Sequence, residues 1–256
     1  MRSTVPRLIS ALMVTSGLAA CSNSSGPAGG AAISFNVSTK ASAPAAAGLA
    51  LSSAPITDGT HTIVLDTVKL VMREIEFKHA ESSATTCPAG TGDNSDCEEL
   101  EVGPLLVDLP LDPGVDHQFT VDVTPGTYDQ LEFKIHKPED GSHGGDSFDS
   151  SFLTSHPEYA GISIHVVGKY DGTPFVFNSD MNAEQEIELP APLVVDGTTP
   201  VSVTLKVDLD TWFRNAGTVL DPATANSGGA NEGVVRNNIE ASLQSFEDEN
   251  HDGIED

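Results

Sequence analysis

The sequence predicts an all-β fold: an antiparallel β-sandwich of about nine strands, followed by one C-terminal helix and an acidic loop. Three observations carry this expectation. Apolar residues recur at every second position in short runs. Val201, Val203, Leu205, Val207 and Leu209 form the longest run, and Phe119, Val121 and Val123 one of the cleanest. Such alternation buries one face of a sheet and leaves the other wet. Turn-forming residues separate the runs, as in Thr124-Pro125-Gly126-Thr127 and around Asp171-Gly172; proline presets one corner of a turn and glycine accepts positive φ. The end of the chain differs, because Val235, Ile239, Leu243 and Phe246 follow a helical period.

Taken in order, Ile33, Phe35 and Val37 open the first strand, and an Ala/Ser/Pro-rich crossing follows from Thr39 to Thr60. The next run holds Ile63, Leu65, Val68, Leu70 and Met72 and then jumps by three to Ile75 and Phe77. That jump predicts a β-bulge near Arg73-Glu74. Leu100, Val102, Leu105, Val107 and Leu109 make an extended segment broken around Gly103-Pro104. Phe119–Val123 and Leu131–Ile135 flank the Pro125-Gly126 turn as the clearest hairpin in the chain. Residues 137–160, rich in Gly, Ser, Asp and His, predict a long loop. Ile162, Ile164 and Val166 begin a strand that turns at Asp171-Gly172 and returns through Phe175 and Phe177. Ile187 and Leu189 lie in a strand that Pro190 and Pro192 should end. After the break at Ser227–Asn231, a helix is expected from 231 to 246, with Asn231 as its N-cap. The whole is of immunoglobulin or transthyretin kind.

The first 20 residues have the parts of a secretory leader. Arg2 and Arg7 supply the charge, Leu8–Val14 an apolar core too short to span a bilayer, and Gly17, Ala19 and Ala20 the small residues before a cut. Leu18-Ala19-Ala20-Cys21 resembles a bacterial lipobox. The resemblance implies that Cys21 becomes a lipidated N-terminus, and Ser22, rather than Asp, after it implies transfer to the outer membrane. No later run approaches the roughly 20 apolar residues of a membrane helix. Past an export signal the compartment is oxidising. Cys87 and Cys97, the pair left once Cys21 is assigned, are therefore expected to form a disulfide. The alternative, a two-thiolate metal site, lacks further cysteines.

The formal net charge is −26, and losing Arg2 and Arg7 with the leader takes it to −28. Nucleic acid and anionic membrane surfaces would repel such a chain, so neither is an expected partner. Cations are favoured.

Several segments resemble a bacterial lipoprotein family known as domain of unknown function 4382. They are Asp66-Thr-Val-Lys-Leu-Val71, Leu105-Leu-Val-Asp-Leu109, Pro125-Gly-Thr-Tyr-Asp-Gln-Leu131 and Val207-Asp-Leu-Asp210. The resemblance covers roughly residues 33–213 as one domain and implies a β-sandwich on a lipoprotein. It carries no established activity and no catalytic residue to transfer. The Cys-bracketed insertion and the His/Asp loop depart from the family.

A second resemblance lies at Asp248-Glu-Asn250-His-Asp252-Gly253-Ile254-Glu-Asp256, which is similar to the calcium loop of EF-hand, dockerin and thrombospondin type 3 repeats. Ca²⁺ takes six to eight hard oxygens. Asp248, Asn250 and Asp252 occupy loop positions 1, 3 and 5, and Gly253 makes the turn at 6. Ile254 offers its carbonyl at 7 and Asp256 stands at 9, while the bidentate acid of position 12 is absent. Weak Ca²⁺ binding is therefore expected.

Other constellations are less specific. His136, His143 and His156, with Asp146 and Asp149, could catch a transition metal, although no H-x-H or H-E-x-x-H spacing occurs. Glu184, Glu186 and Glu188 share a strand face and could imitate a glycosidase pair, but a solvated face is the plainer account. Ser163 and His165 lie within a strand, outside any nucleophile elbow. Trp212 and Phe213 could form a sugar platform, and are more simply core.

The expected organisation is a leader (1–20), a tether (21–32), the sandwich (33–213), a linker (214–230) and a helix with an acidic tail (231–256). The expected function is that of a non-enzymatic surface lipoprotein, lipid-anchored in the envelope. It would bind a glycan or protein ligand, with weak calcium binding at its C-terminus. A purely structural envelope component and an extracellular carboxylate-dependent hydrolase are the alternatives.

Overall fold

The computed structural model describes residues 31–39, 55–79, 99–100, 103–112 and 114–255. Cys21, Cys87, Cys97 and Asp256 lie outside the described residues, and with them the expected lipidation and disulfide. In chain order the strands are β1 (Ala31–Thr39), β2 (Ile56–Thr57), β3 (Thr62–His79), β4 (Glu99–Leu100), β5 (Leu105–Asp108), β6 (Val115–Val123), β7 (Gly126–Ile135), β8 (Ile164–Tyr170), β9 (Thr173–Ser179), β10 (Ala183–Val195), β11 (Val201–Val207), β12 (Arg214–Asn215), β13 (Thr218–Val219) and β14 (Leu243–Glu247). The helices are α1 (Ser147–Ser155), α2 (Leu209–Trp212) and α3 (Glu232–Ala241).

The chain is an all-β sandwich. One sheet has the order β14-β11-β1-β6; the other is built on β3, with β7 and β10 toward one end and β8 and β9 toward the other. Inward side chains of both sheets, among them Phe35, Val203, Leu205, Val68, Phe77 and Phe133, merge in one hydrophobic cluster. Pairing is antiparallel except between β1 and β11, which run parallel. These strands stand near opposite ends of the sandwich sequence, so the crossover between them takes in the whole second sheet as well as β6.

β3 explains the second sheet. Along one edge it pairs first with β8, over Ile63–Leu70, and then with β7, over Met72–His79. The change of partner falls at Val71, whose N–H donates to Ser163 O and whose C=O accepts from His136 N. β7 and β8 are thus two halves of one line of pairing, and residues 136–163 leave the sheet at the split and return to it. The expected bulge is present: the β3–β7 register shifts between Arg73 and Glu76, and Glu74 takes φ +51°.

The β8–β9 hairpin also forms, with Asp171 and Gly172 both at positive φ (48° and 80°). Two positive φ values in a two-residue turn match the right-handed twist of the flanking strands.

Other expectations are corrected. The 119–135 segment is not a hairpin: β6 pairs with β1 and β7 with β3 and β10, so the turn carries the chain from one sheet to the other. Gly126 is not at positive φ; it is needed for space, since a Cβ there would stand 2.4 Å from the His79 ring. The Tyr128 hydroxyl donates to Thr124 O at 2.6 Å and fixes this corner.

Pro190 and Pro192 do not end β10. Its register with β7 shifts between Glu188 and Leu193, so both prolines sit in a bulge of a strand at the end of the sheet order, where a missing N–H is tolerated. Residues 137–160 are not all loop. Asp146 accepts from the N–H groups of Phe148 and Asp149 and caps α1, an N-terminal signal strong enough to start a Ser-rich helix.

The C-terminal helix is shorter than expected. Leu243 and Phe246 belong to β14, which takes the edge of β11, so ladder pairing wins over the helical period. Asn231 stands at the N-cap position without a capping bond; its side-chain amide donates instead to Thr224 Oγ1. Residues 214–230 carry the β12–β13 ribbon and place Val219 and Ala225 in the core.

Candidate functional site

The C-terminal loop grows from β14. Pairing with β11 brings Asp248 N to Ser202 O at 3.0 Å and aims the next residues across the outer face of the four-stranded sheet. That face is small and polar, with Asn36, Ser38, Ser202 and Thr204 all buried. Asn36 Nδ2 donates to Ser202 Oγ at 2.6 Å, and the Asn36 amide oxygen meets His117 Nδ1 at 3.1 Å.

Asp248 is 0% exposed. Its Oδ2 accepts from Thr204 Oγ1 at 2.8 Å and from Gly253 N at 3.1 Å, and its Oδ1 from Asp252 N at 3.0 Å. The loop repeats this pattern on itself: Asn250 Oδ1 accepts from Asp252 N, and Asp252 Oδ1 from Ile254 N, both at 2.9 Å. His251 and Gly253 supply the positive φ values, 58° and 76°, that the tight turn requires.

Gly253 lies against Ser38 and Val115 of the sheet, and its carbonyl accepts from Lys206 Nζ at 3.4 Å. No described Lys, Arg or His forms an ion pair with Asp248. A buried carboxylate without a counter-charge is costly unless donors or a cation compensate it. Here three donors do part of that. One buried hydroxyl beside the loop, Ser38 Oγ, has no hydrogen-bond partner among the described residues.

The structure therefore gathers Asp248, Asn250 and Asp252 into one turn, as the spacing requires. Ile254 follows at an exposed position. Loop amides donate to the side chains of positions 1, 3 and 5 and fix their orientation. Thr204 and Ser38 belong to the same constellation and were missed by motif. The signal was available in β1 and β11, where Ser34, Asn36 and Ser38 and then Ser202 and Thr204 occupy the polar phase with small side chains.

The remaining candidates are dispersed. His136 Nε2 meets Asp149 Oδ1 at 2.7 Å, His143 pairs with Asp140, and His156 packs at a tilt against Phe152 beside Glu158, so the three imidazoles have separate partners. Asp146 and Asp149 instead receive Arg73, at 2.5 and 3.5 Å, and Asp149 is buried. This network fastens the 136–163 excursion to β3. The amides of Asp149 and Phe148 and the Arg73 guanidinium hold Asp146 below the usual carboxylate range.

Glu184 and Glu186 of β10 do meet Glu132 of β7. Among the described residues this is the group of three whose possible ligand oxygens all lie within 4.8 Å of one another. The hydrogen bond that protonated Glu184 donates to Glu132, and the negative charge of Glu132, push Glu184 up. Burial acts in the same direction on Glu132, but bonding to Lys78 and the charges of Lys78 and Lys134 outweigh it and hold that group down. Glu184 and Glu186 are open to solvent on their strand. Glu188 stands apart from the three, opposite Gln130.

Ser163 is buried and donates to Ser179 O at 3.0 Å, while His165 pairs with Asn178 across the strands, so they do not form a nucleophile and base. Trp212 and Phe213 are core. The Trp212 indole donates to Ser242 Oγ at 2.8 Å, and Phe213 meets Phe177 edge-on at 5.2 Å. They are unavailable as a sugar platform.

No protein-family model, curated protein or solved structure matches this chain.

Proposed function

We propose that the protein is a non-enzymatic lipoprotein of the cell envelope, anchored through Cys21, probing its surroundings with a β-sandwich binding module whose C-terminal loop takes Ca²⁺. The observation that carries the calcium part is the Asp248 carboxylate, wholly buried, without a cationic partner among the described residues, at the first position of an Asp-x-Asn-x-Asp-Gly turn. Asn250, Asp252 and the Ile254 carbonyl supply further oxygens, and Asp256 completes the set drawn from the sequence. Affinity in the range of extracellular modules, Kd of about 10⁻⁴–10⁻³ M, is expected.

The anchor rests on the lipobox, and the outer-membrane address on Ser22. Two acyl chains or more hold a soluble domain stably at a bilayer, whereas one does so marginally. No described helix is long and apolar enough to cross a membrane. The ligand of the module is a glycan or a protein at the cell surface; the strong negative charge speaks against nucleic acid.

Thermal unfolding of the protein freed of its leader tests the calcium site. At about tenfold over Kd, Ca²⁺ should add about 1.4 kcal/mol of stability, which for a domain of this size raises Tm by roughly 3–6 °C. Identical melting in millimolar Ca²⁺ and in chelator would exclude the site. Cys21→Ala should release the protein from the membrane fraction.

A further inference from the structure

We propose that the cleft beneath the 136–163 excursion binds a neutral sugar residue. The proposal names the ligand class of the binding module and rests on that reading.

The cleft lies where the excursion returns over the outer face of the second sheet, and its volume is about 360 Å³, within the roughly 300–1,000 Å³ of small-ligand sites. Its floor is a row running across β3, β8 and β9, flanked by Asp108 of β5. Register places Asp108 of β5 beside Lys69 of β3, Lys69 beside His165 of β8, and His165 beside Asn178 of β9. Thr67 lies one step along β3, and Glu158 and Tyr159 form the wall above. Val167 and Ile162 add apolar surface.

This floor is braced, and its hydrogen-bonding capacity is largely unspent. Lys69 Nζ meets Asp108 at 3.3 Å, His165 Nδ1 meets Asn178 Oδ1 at 2.7 Å, and Asn178 N donates to Asn226 Oδ1 at 2.9 Å. The Tyr159 ring is buried and stands edge-on to His165 at 6.3 Å. Among the described residues, none bonds the Tyr159 hydroxyl, the Thr67 hydroxyl, Asn178 Nδ2 or His165 Nε2. Burial, with the charges of Glu158 and Asp108, pushes the Tyr159 hydroxyl up to about 12, so it remains a donor.

The charges select the ligand. Lys69 is balanced by Asp108 and outnumbered once Glu158 is included, so an anion gains nothing here. A cation would meet the Lys69 ammonium and the donors of Asn178 and Tyr159. A polyol both accepts, from Lys69, Asn178 and Tyr159, and donates, to Glu158 and His165 Nε2. The tyrosine and the two aliphatic side chains offer apolar surface to the C–H groups of a sugar ring.

The test is an NMR titration of the ¹⁵N-labelled, leaderless protein with glucose, galactose, mannose and N-acetylglucosamine, and with glucuronate and choline as charged comparators. At least one neutral sugar should shift the amides of Lys69, His165 and Asn178. Tyr159→Phe keeps the ring packing and should weaken binding roughly fivefold, the effect of one hydrogen bond; Lys69→Met should weaken it as well. Unmoved amides with all four neutral sugars, a stronger response to glucuronate or choline, or unchanged affinity in both variants would overturn the proposal. Calcium-dependent melting is recorded on the same samples. A calcium shift without a sugar response removes the cleft assignment and leaves the calcium module standing. A sugar response without a calcium shift supports the cleft and removes the calcium site.

Discussion

Substitution of Asp248 separates what the carboxylate does for the fold from what it does for a cation. In Asp248→Ala, three charge-assisted hydrogen bonds disappear, from Thr204 Oγ1, Asp252 N and Gly253 N. At about 1.5 kcal/mol each they amount to roughly 4.5 kcal/mol. Thr204 is wholly buried, so its hydroxyl is left without that partner. Against this, a buried, unpaired charge is removed, which returns part of its desolvation energy. A net loss of about 3 kcal/mol is expected, or roughly 6–12 °C in Tm. Asp248→Asn should behave differently. It keeps one acceptor and discards the charge, so in chelator it should lie within about 1 kcal/mol of wild type. In millimolar Ca²⁺ it should miss the calcium increment altogether. Melting curves of the three proteins, each with chelator and with Ca²⁺, give the six values needed. The reasoning fails if Asp248→Ala loses less than about 1 kcal/mol in chelator, because the loop would then not be docked through this side chain. It also fails if Asp248→Asn retains the full calcium response.

Further expectations concern the scaffold. Arg73→Met should destabilise by about 3 kcal/mol in urea denaturation, because Asp149 stays buried with its guanidinium partner gone; protease cleavage should then appear within 136–163. Gly168→Ala should cost about 3 kcal/mol, since a Cβ there would stand 2.3 Å from Val64 O, a backbone atom that cannot swing away. The Asp58 carboxylate, held at about 2 by the amides of His61, Val219 and Thr60, lies below its ordinary 3.8. Its stabilising effect is therefore present above about pH 4 and lost as pH falls through about 2. The Val219 amide resonance should move over that interval and stay still in Asp58→Asn. His61 is raised above 6.5 by its hydrogen bond to Asp171, so that contact acts below pH 6.5 and fades as pH rises through the raised value.

Much of the sandwich was legible because period-2 alternation reports burial directly. It found β1, the long β3 with its bulge, the β8–β9 hairpin and β11. It did not report which strand pairs with which. Phe119–Val123 and Leu131–Ile135 carry the same pattern whether they face each other in one sheet or pass between two; the corner is fixed by His79, distant in sequence, filling the place of a Gly126 side chain, and by Tyr128 reaching Thr124 O. Leu243 and Phe246 satisfy a helix by spacing, but the free edge of β11 offered them a ladder, a partner that no local window contains. In the candidate site, the loop motif could be seen in order, from Asp248 to Gly253. Its docking on Thr204 and Ser38 could not, because those residues lie far off in sequence and meet the loop only across the sheet. The row Asp108–Lys69–His165–Asn178 is likewise a product of register alone.

The place of β1 has a mechanical consequence. It lies inside its sheet, antiparallel to β6 on one side and parallel to β11 on the other, with ladders over nearly its whole length. A pull applied at Ala31 along the strand axis runs across those hydrogen bonds, at right angles to the antiparallel set and obliquely to the slanted parallel set, and loads them together, in shear, rather than opening them one after another. Such loading resists extraction through the rate of unfolding rather than the equilibrium stability. A domain held by its N-terminal end against flow or a bound ligand would thus be gripped at a strand paired on both sides.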